Sequence, residues 1–501
     1  MRDRICVHFP LYTESTVKEP FDINCFCMDN RRKTGQERKK MKFETNDVSH
    51  LEWMSEEADK ENKYEKPWEN GSLRVTKNGR YFCCGDTPFF WMGDTAWLLF
   101  HQLTSREAYC YLRGRKELGY NVILADFLHT PEQVNLAGES ALEEGDFSRI
   151  KKDGVFWKHV DQVIKMAEEL GLYMGLLPVW GSSIVAGGSL NAGNLDGYLD
   201  FILERYHDAP NLIWIVGGDV RGDVNPGLFC RMGRRMKEDR PDRLVGYHPF
   251  GRTSSSLWFH EEEWLDFNLF QSGHRRYDQT ELGAWDDNSE KEGCFGEDCW
   301  RYVKTDYEKL PVKPVLDGEP SYEWVVQGLH DLTQPYWKAA DVRRYAYWDV
   351  FAGAAGHTYG HNSIMQFYRD LSQKGAFGAK YLWSDAIHHP GGAQMIHLKR
   401  LMESVDYGNG RPAQELLLME EGLKYDYVSV FAGENFLFAY TCTGRAIRLS
   451  LTNFKGKIKS AYWMDPVTGM QTFICEVTGK EEAVFLPPER EDGSDSVLVI
   501  R

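Results

Sequence analysis

The chain is predicted to be an α/β protein: a (β/α)8 TIM barrel with a C-terminal antiparallel β-sandwich domain. Three observations predict it. Eight apolar, strand-like segments between residues 89 and 359 each lead into a helical segment or a long loop, the pattern of parallel β-α units. No G-x-G-x-x-G follows an early strand, which disfavours an open dinucleotide-binding sheet. After about Asp406 the pattern changes to short alternating strands separated by turn residues, as in a sandwich.

In chain order, residues 1–70 are polar, charged and weakly periodic, and are expected to form a poorly ordered arm. The basic run Arg31–Lys42 within it is read as solvated. Ser72–Cys84 reads as a hairpin with a type I′ turn at Asn78-Gly79. The barrel is placed at 71–405. Its strands are predicted at Phe89–Gly93, Asn121–Ala125, Leu172–Val179, Asn211–Val216, Leu244–Tyr247, Phe267–Phe270, Pro314–Leu316 and His357–Tyr359. Thr104 and Glu107 form a capping box that opens a helix. Phe156, Val160, Val163, Ala167 and Leu170 make a helical stripe. Further helices are predicted at Leu195–Tyr206, Pro226–Glu238, Trp300–Leu310 and Trp337–Val350, with a joining helix at Gly391–Val405. The sandwich is placed at 406–501.

Composition excludes several classes. Net charge is −16 over 501 residues, which repels phosphate backbones and anionic lipid, so neither nucleic acid nor membrane is expected as a partner. No run of about 18 apolar residues exists to cross a bilayer. The start lacks the charged, apolar, small-residue order of a secretory signal. The 11 cysteines are scattered without C-x-x-C pairs. Free thiols in a cytoplasmic protein are the expectation. No metal-ligand spacing such as H-E-x-x-H and no G-x-S-x-G elbow occurs, so no metal or other cofactor and no serine esterase chemistry is expected. With 16 Trp and 25 Tyr, flat rings suited to the C–H faces of sugars are plentiful.

In barrels the reactive groups sit at the C-terminal ends of the strands. The residues closing the predicted strands are Asp94, Asp126, Trp180 with Ser182, Asp219, His248, Gln271 with His274, Glu319, and His357 with Tyr359. Two segments run an apolar strand into glycine and a carboxylate: Trp214–Asp219 and Val315–Glu319. They close predicted strands four and seven, which face each other across the mouth. Two carboxylates so placed can flank a glycosidic bond, one giving a proton and the other ionised. Asp223 is a local rival for Asp219, and Asp317 and Glu323 for Glu319. Asp94, Trp97, Trp180, His248, His274, Tyr322 and His357 are the expected substrate contacts.

Several segments resemble the apiosidase-like glycoside hydrolases, barrel proteins whose C-terminal domain carries a collagen-binding label. They are Pro88–Trp97, Gly119–Ile123, Trp214–Asp219, Asp317–Glu323, and, in the tail, Ala461–Pro466 with Thr468-Gly469. The resemblance runs from Leu73 to the end of the chain. It implies a retaining double displacement with Asp219 as acid/base and Glu319 as nucleophile. It also implies a plant-derived, pectin-type substrate, with apiose-containing linkages as the family's example. Without an export signal, short imported oligosaccharides or glycosides are expected. Two alternatives stay open: a catalytically inactive carbohydrate-binding barrel, and an inverting glycosidase. The stretch Ser272–Trp300 is expected to loop over the mouth.

Overall fold

Eight parallel strands enclose the core: β1 (Trp91–Thr95), β2 (Val122–Asp126), β3 (Tyr173–Leu177), β4 (Leu212–Val220), β5 (Val245–Pro249), β6 (Asn268–Phe270), β7 (Val315–Asp317) and β8 (Gly356–Tyr359). The computed structural model describes residues 64–185, 187–277, 295, 297–454, 457–489 and 495–501. Strand β8 pairs with β1, and the ladder runs on through β2, β3 and β4 to β5. Strands β6 and β7 form their own parallel pair. Two seams complete the ring. Asp266 N donates to Val245 O at 2.9 Å between β5 and β6, and Ala355 N donates to Val315 O at 2.9 Å between β7 and β8. The result is a TIM barrel whose strand interiors are buried on both faces, hence the continuous apolar runs.

The helices around it follow from periodicity and caps. Helix α1 (Ser105–Glu117) starts at Thr104, whose side chain accepts from Glu107 N while the Glu107 carboxylate accepts from Thr104 N. Helix α2 (Val155–Glu169) buries Phe156, Trp157, Val160, Val163, Ile164 and Ala167 along one stripe, the face that covers the barrel. Helices α3 (Leu195–Tyr206), α4 (Pro226–Asp239), α5 (Cys299–Tyr307), α6 (Ala339–Phe351) and α7 (Pro390–Glu403) complete the described layer.

Three sequence expectations need correction. Phe89 belongs to a small antiparallel sheet of Leu73–Val75, Phe82–Cys84 and Thr87–Phe89, so β1 begins and ends later than expected. Asp94 consequently lies inside a strand, paired with Tyr359, rather than on the rim. The hairpin before it has no type I′ turn. Thr76 N donates to Tyr81 O, and Gly79 alone of the Asn78-Gly79 pair has positive φ, whereas type I′ requires it at both. Residues 64–70, expected as part of the arm, include a short 3-10 helix (Pro67–Asn70) whose Trp68 packs edge-on against Tyr173 at 5.2 Å. The rest of the expected arm, 1–63, lies outside the described residues.

Beyond the barrel, strands β9 (Arg411–Pro412), β10 (Ser429–Ala432), β11 (Leu437–Thr441), β13 (Ser460–Met464), β14 (Gln471–Glu476) and β16 (Ser496–Ile500) form one antiparallel sheet in the order β9-β10-β11-β16-β13-β14. Strands β12 (Ile447–Ser450) and β15 (Glu482–Phe485) form a second. The period-2 alternation of side chains divides the larger sheet. Val430, Leu437, Ala439, Leu498 and Ile500 join the sandwich core, with Leu449 and Phe485 of the second sheet. Phe431, Phe438, Tyr440, Val497 and Val499 join the barrel's core instead. There Tyr440 stacks on Tyr347 of α6 at 4.9 Å, and Tyr427 stacks on Trp300 at 4.1 Å. Arg343 of α6 meets Asp495 through two buried bonds, 2.8 and 2.7 Å. Glu297, also buried, accepts from Arg344 (2.8 Å), from Tyr425 OH (2.8 Å) and from Tyr277 N (3.0 Å). Three separate parts of the chain therefore meet at one carboxylate.

Candidate active site

Asp219 reaches the barrel mouth through a bulge. The β4–β5 register pairs Gly217 with His248 and then Val220 with Pro249, so Gly218 and Asp219 are extra residues on β4. Bulges of this kind bend a strand and re-aim its side chains. Gly217 and Gly218 hold φ of +89° and +115°, and a Cβ on Gly217 would lie 2.5 Å from His248 O. Only glycine fits that approach. Asp219 itself has φ +55°, a conformation Asp tolerates better than most residues. Strand four was expected to stop at Val216; it continues through the bulge.

Glu319 sits two residues past β7. Its turn is tied to the end of β6: Gly318 N donates to Phe270 O (2.8 Å), and Gly273 N to Glu319 O (3.2 Å). The Glu319 carboxylate lies between two imidazoles, with His274 Nε2 at 3.0 Å from Oε1 and His248 Nε2 at 3.3 Å from Oε2. The ring of His274 is held in turn by Tyr322, edge-on at 4.9 Å, and its carbonyl accepts from Trp337 Nε1 at 3.1 Å.

Asp219 and Glu319 line one cavity of about 280 Å³. Their protonation is driven apart. Burial, and then the charge of Glu319, push Asp219 well above the usual carboxylate range, against hydrogen bonds from Gly251 and Gln271. Burial also opposes ionisation of Glu319, but hydrogen bonds and charge from His248 and His274 outweigh it and bring Glu319 down to about 2. The surroundings favour the protonated form of Asp219 and the ionised form of Glu319. Environments that separate two carboxyls in this way suit them to different parts of one reaction.

Of the expected substrate contacts, Trp97, Trp180, His274 and Tyr322 line the cavity. Trp97 donates Nε1 to Tyr322 OH at 3.2 Å and packs against Trp180 at 5.2 Å and His248 at 5.1 Å. His248 is fully buried against Glu319, behind that wall. Asp94 and His357 do not line the cavity either. Asp94 is fully buried with its Oδ2 2.6 Å from Arg115 Nε. His357, also fully buried, meets Asp349 at 3.0 Å, and burial lowers it to about 3. Both lie within strands, and a buried ion pair or hydrogen bond has claimed each. Of the rivals, Asp223 is exposed and pairs with Arg221 at 2.9 Å. Glu323 accepts from Tyr359 OH at 2.6 Å, away from the cavity.

Sequence reasoning missed part of the wall. His129 packs on Trp180 at 4.8 Å and bonds Asp126 at 3.0 Å. It lies three residues past the Asp126 that closes β2, beyond the first polar residue sought there. Phe250, Leu329, Met365 and Phe377 form an apolar side, and Arg252 and Arg275 add buried guanidiniums. Arg252, Leu329 and Phe377 hold φ of +60°, +69° and +48°. Such backbone strain gathers at ligand clamps, and nothing local in these stretches signals it. Of the stretch expected over the mouth, 278–294 and 296 lie outside the described residues. Among the described residues no group of three or more His, Cys, Asp or Glu is arranged to hold a metal ion, and no helix is long and apolar enough to cross a membrane.

Residues 76–409 match the family model described as "Apiosidase-like, catalytic domain", and residues 411–501 match "Putative collagen-binding domain of a collagenase". A solved structure described as a glycoside hydrolase is 41% identical, covering 87% of this chain and 98% of that one, with a TM-score of 0.82. The crystal structure of a glycoside hydrolase family 5 from Bacteroides vulgatus is 38% identical, covering 88% and 95%, with a TM-score of 0.81. No curated protein matches the sequence.

Proposed function

This chain belongs to the apiosidase-like family and is a glycoside hydrolase, and on that footing we propose that it is a retaining enzyme acting by double displacement. Glu319 attacks the anomeric carbon as the glycosidic C–O bond breaks. Asp219 gives its proton to the departing oxygen. The Asp219 carboxylate then takes a proton from water, which attacks the same carbon and releases the sugar and Glu319. His248 and His274 keep Glu319 ionised between turnovers, while Trp97, Trp180 and Tyr322 offer ring faces to the sugar.

The observation that carries this reading is the split in protonation between two carboxyls of one cavity. Plant-derived, pectin-type oligosaccharides or glycosides, apiose-containing ones among them, are the proposed substrates, through the family's likeness. A cytoplasmic setting is proposed with them. Cys83, Cys84 and Cys299 are buried free thiols, which agrees with a reducing compartment. The test is a panel of aryl glycosides and pectin oligosaccharides, with Glu319→Gln as control and the first-formed anomer read by proton NMR. Retention with an inactive Glu319→Gln supports the reading. Inversion, or full turnover by Glu319→Gln, overturns the nucleophile.

A further inference from the structure

Asp317 ends β7, one residue before Gly318, and is fully buried beneath the cavity. Its Oδ1 accepts from Glu319 N at 3.1 Å and from Ser272 N at 3.4 Å, and its Oδ2 accepts from Ser272 Oγ. Ser272, Gly273 and His274 are consecutive. Ser272 binds Asp317, Gly273 N binds Glu319 O, and His274 binds the Glu319 carboxylate. Two turns from neighbouring strands are thereby stitched at three successive positions, and Asp317 makes the deepest stitch.

We propose that Asp317 is a positioning residue for Glu319, holding the strand ends that carry Glu319 and His274 as one unit. The proposal rests on Glu319 being the nucleophile. A near-attack geometry tolerates little displacement: about 1 Å can cost a hundredfold in rate. The buried Glu319 also depends on the imidazole of His274 for its ionisation, so a turn free to drift would loosen the nucleophile and neutralise it. Burial and the neighbouring Asp349 push Asp317 well above the usual carboxylate range. Asp349 belongs to the same buried pair but bonds His357 and is not in contact with Glu319, which makes it the internal control.

The experiment compares Asp317→Asn, Asp317→Ala, Ser272→Ala and Asp349→Asn in the full chain. It measures kcat, KM, the acid limb of kcat/KM, thermal stability, and solvent exchange of the His274 Nε2 proton by NMR. Asparagine keeps the acceptor for both N–H groups, so Asp317→Asn is expected to hold kcat within about threefold. Asp317→Ala is expected to lower kcat about 30-fold or more with little change in KM, raise the acid limb, and speed exchange at His274. Asp349→Asn should leave kcat and exchange unchanged. A folded Asp317→Ala with wild-type kcat, acid limb and exchange overturns the proposal. If Asp317→Ala does not fold, Ser272→Ala decides. It is expected to show a smaller loss of kcat and faster exchange, and wild-type values for both overturn the proposal. Wild-type protein without turnover on any glycoside would refute the nucleophile reading itself, and His274 exchange in the variants would then decide the positioning claim alone.

Discussion

The backbone N–H of Asp219 donates to Nδ1 of His248 at 3.3 Å. The other ring nitrogen, Nε2, lies 3.3 Å from Glu319 Oε2. One imidazole thus connects the backbone of Asp219 to the side chain of Glu319, and its orientation is fixed by the strand that carries Asp219.

That connection makes His248 separable from His274. His248→Ala removes the ring nitrogen that faces the Glu319 carboxylate at 3.3 Å. The acid limb of kcat/KM should rise from its low position, because Glu319 then loses part of what holds it near 2. kcat should fall about tenfold to a hundredfold. A pH profile with an unmoved acid limb would show that His248 does not hold Glu319 ionised.

In the proposed mechanism Asp219 acts in its protonated form, so the alkaline limb should follow it. Its proton is held well above the ordinary 3.8 by burial and then by Glu319. Because the two carboxyls titrate as a pair, Glu319→Gln should bring the Asp219 carboxyl down. Isotope-edited infrared titration would show this directly; an unchanged Asp219 would mean that burial alone sets it. Asp219→Asn should lower kcat about 10²–10⁴-fold on glycosides with poor leaving groups, and much less on activated aryl glycosides that need no proton.

The same carboxyl affects stability. Its folded pKa lies above its unfolded value, so between the two the folded chain holds a proton that the unfolded chain has lost. Its contribution is complete below about pH 4 and declines as pH rises towards the folded pKa. Asp219→Asn removes this titration. Relative to wild type, the variant's melting temperature should gain more at pH 8 than at pH 4, as measured by calorimetry. An equal difference at both pH values would contradict the raised pKa.

Gly217→Ala tests the bulge. The added Cβ meets His248 O at 2.5 Å on a backbone held at φ +89°, at a cost of about 1–3 kcal/mol. Because Asp219 and His248 both depend on this crossing, kcat should fall further than the lost stability accounts for. Denaturant unfolding alongside kinetics separates the two effects.

Arg343→Ala leaves Asp495 buried without its cation. Loss of one partner of such a pair costs about 3–5 kcal/mol, and urea unfolding should show it while KM at low denaturant stays near wild type. A change below about 1 kcal/mol would mean that the contact between barrel and sandwich does not depend on this pair.

The barrel was legible because its signals are local: the Thr104 capping box, the stripe from Phe156 to Leu170, and apolar runs that end in polar residues. Asp219 and Glu319 were visible because glycine beside a carboxylate at a strand end is a short pattern. What escaped was decided by residues far apart in the chain. Asp94 looked like a rim residue until Arg115, 21 positions on, claimed it. The bulge that aims Asp219 depends on the register with β5, which no single strand encodes. His129, Leu329 and Phe377 reach the cavity from loops, where neither period 2 nor period 3.6 applies.

The meeting of Arg344, Tyr425 and Tyr277 at Glu297 bears on how this protein can be cut. Ending the chain near Asp406 would remove Tyr425 and the rings of Tyr427, Phe431, Phe438 and Tyr440. Tyr347, Phe351 and Trp300 would be bared as an apolar patch beside a carboxylate short of one donor. Such a patch promotes aggregation. The sugar-cleaving half is not a portable module, and attempts to graft or miniaturise it should carry the C-terminal sheet along.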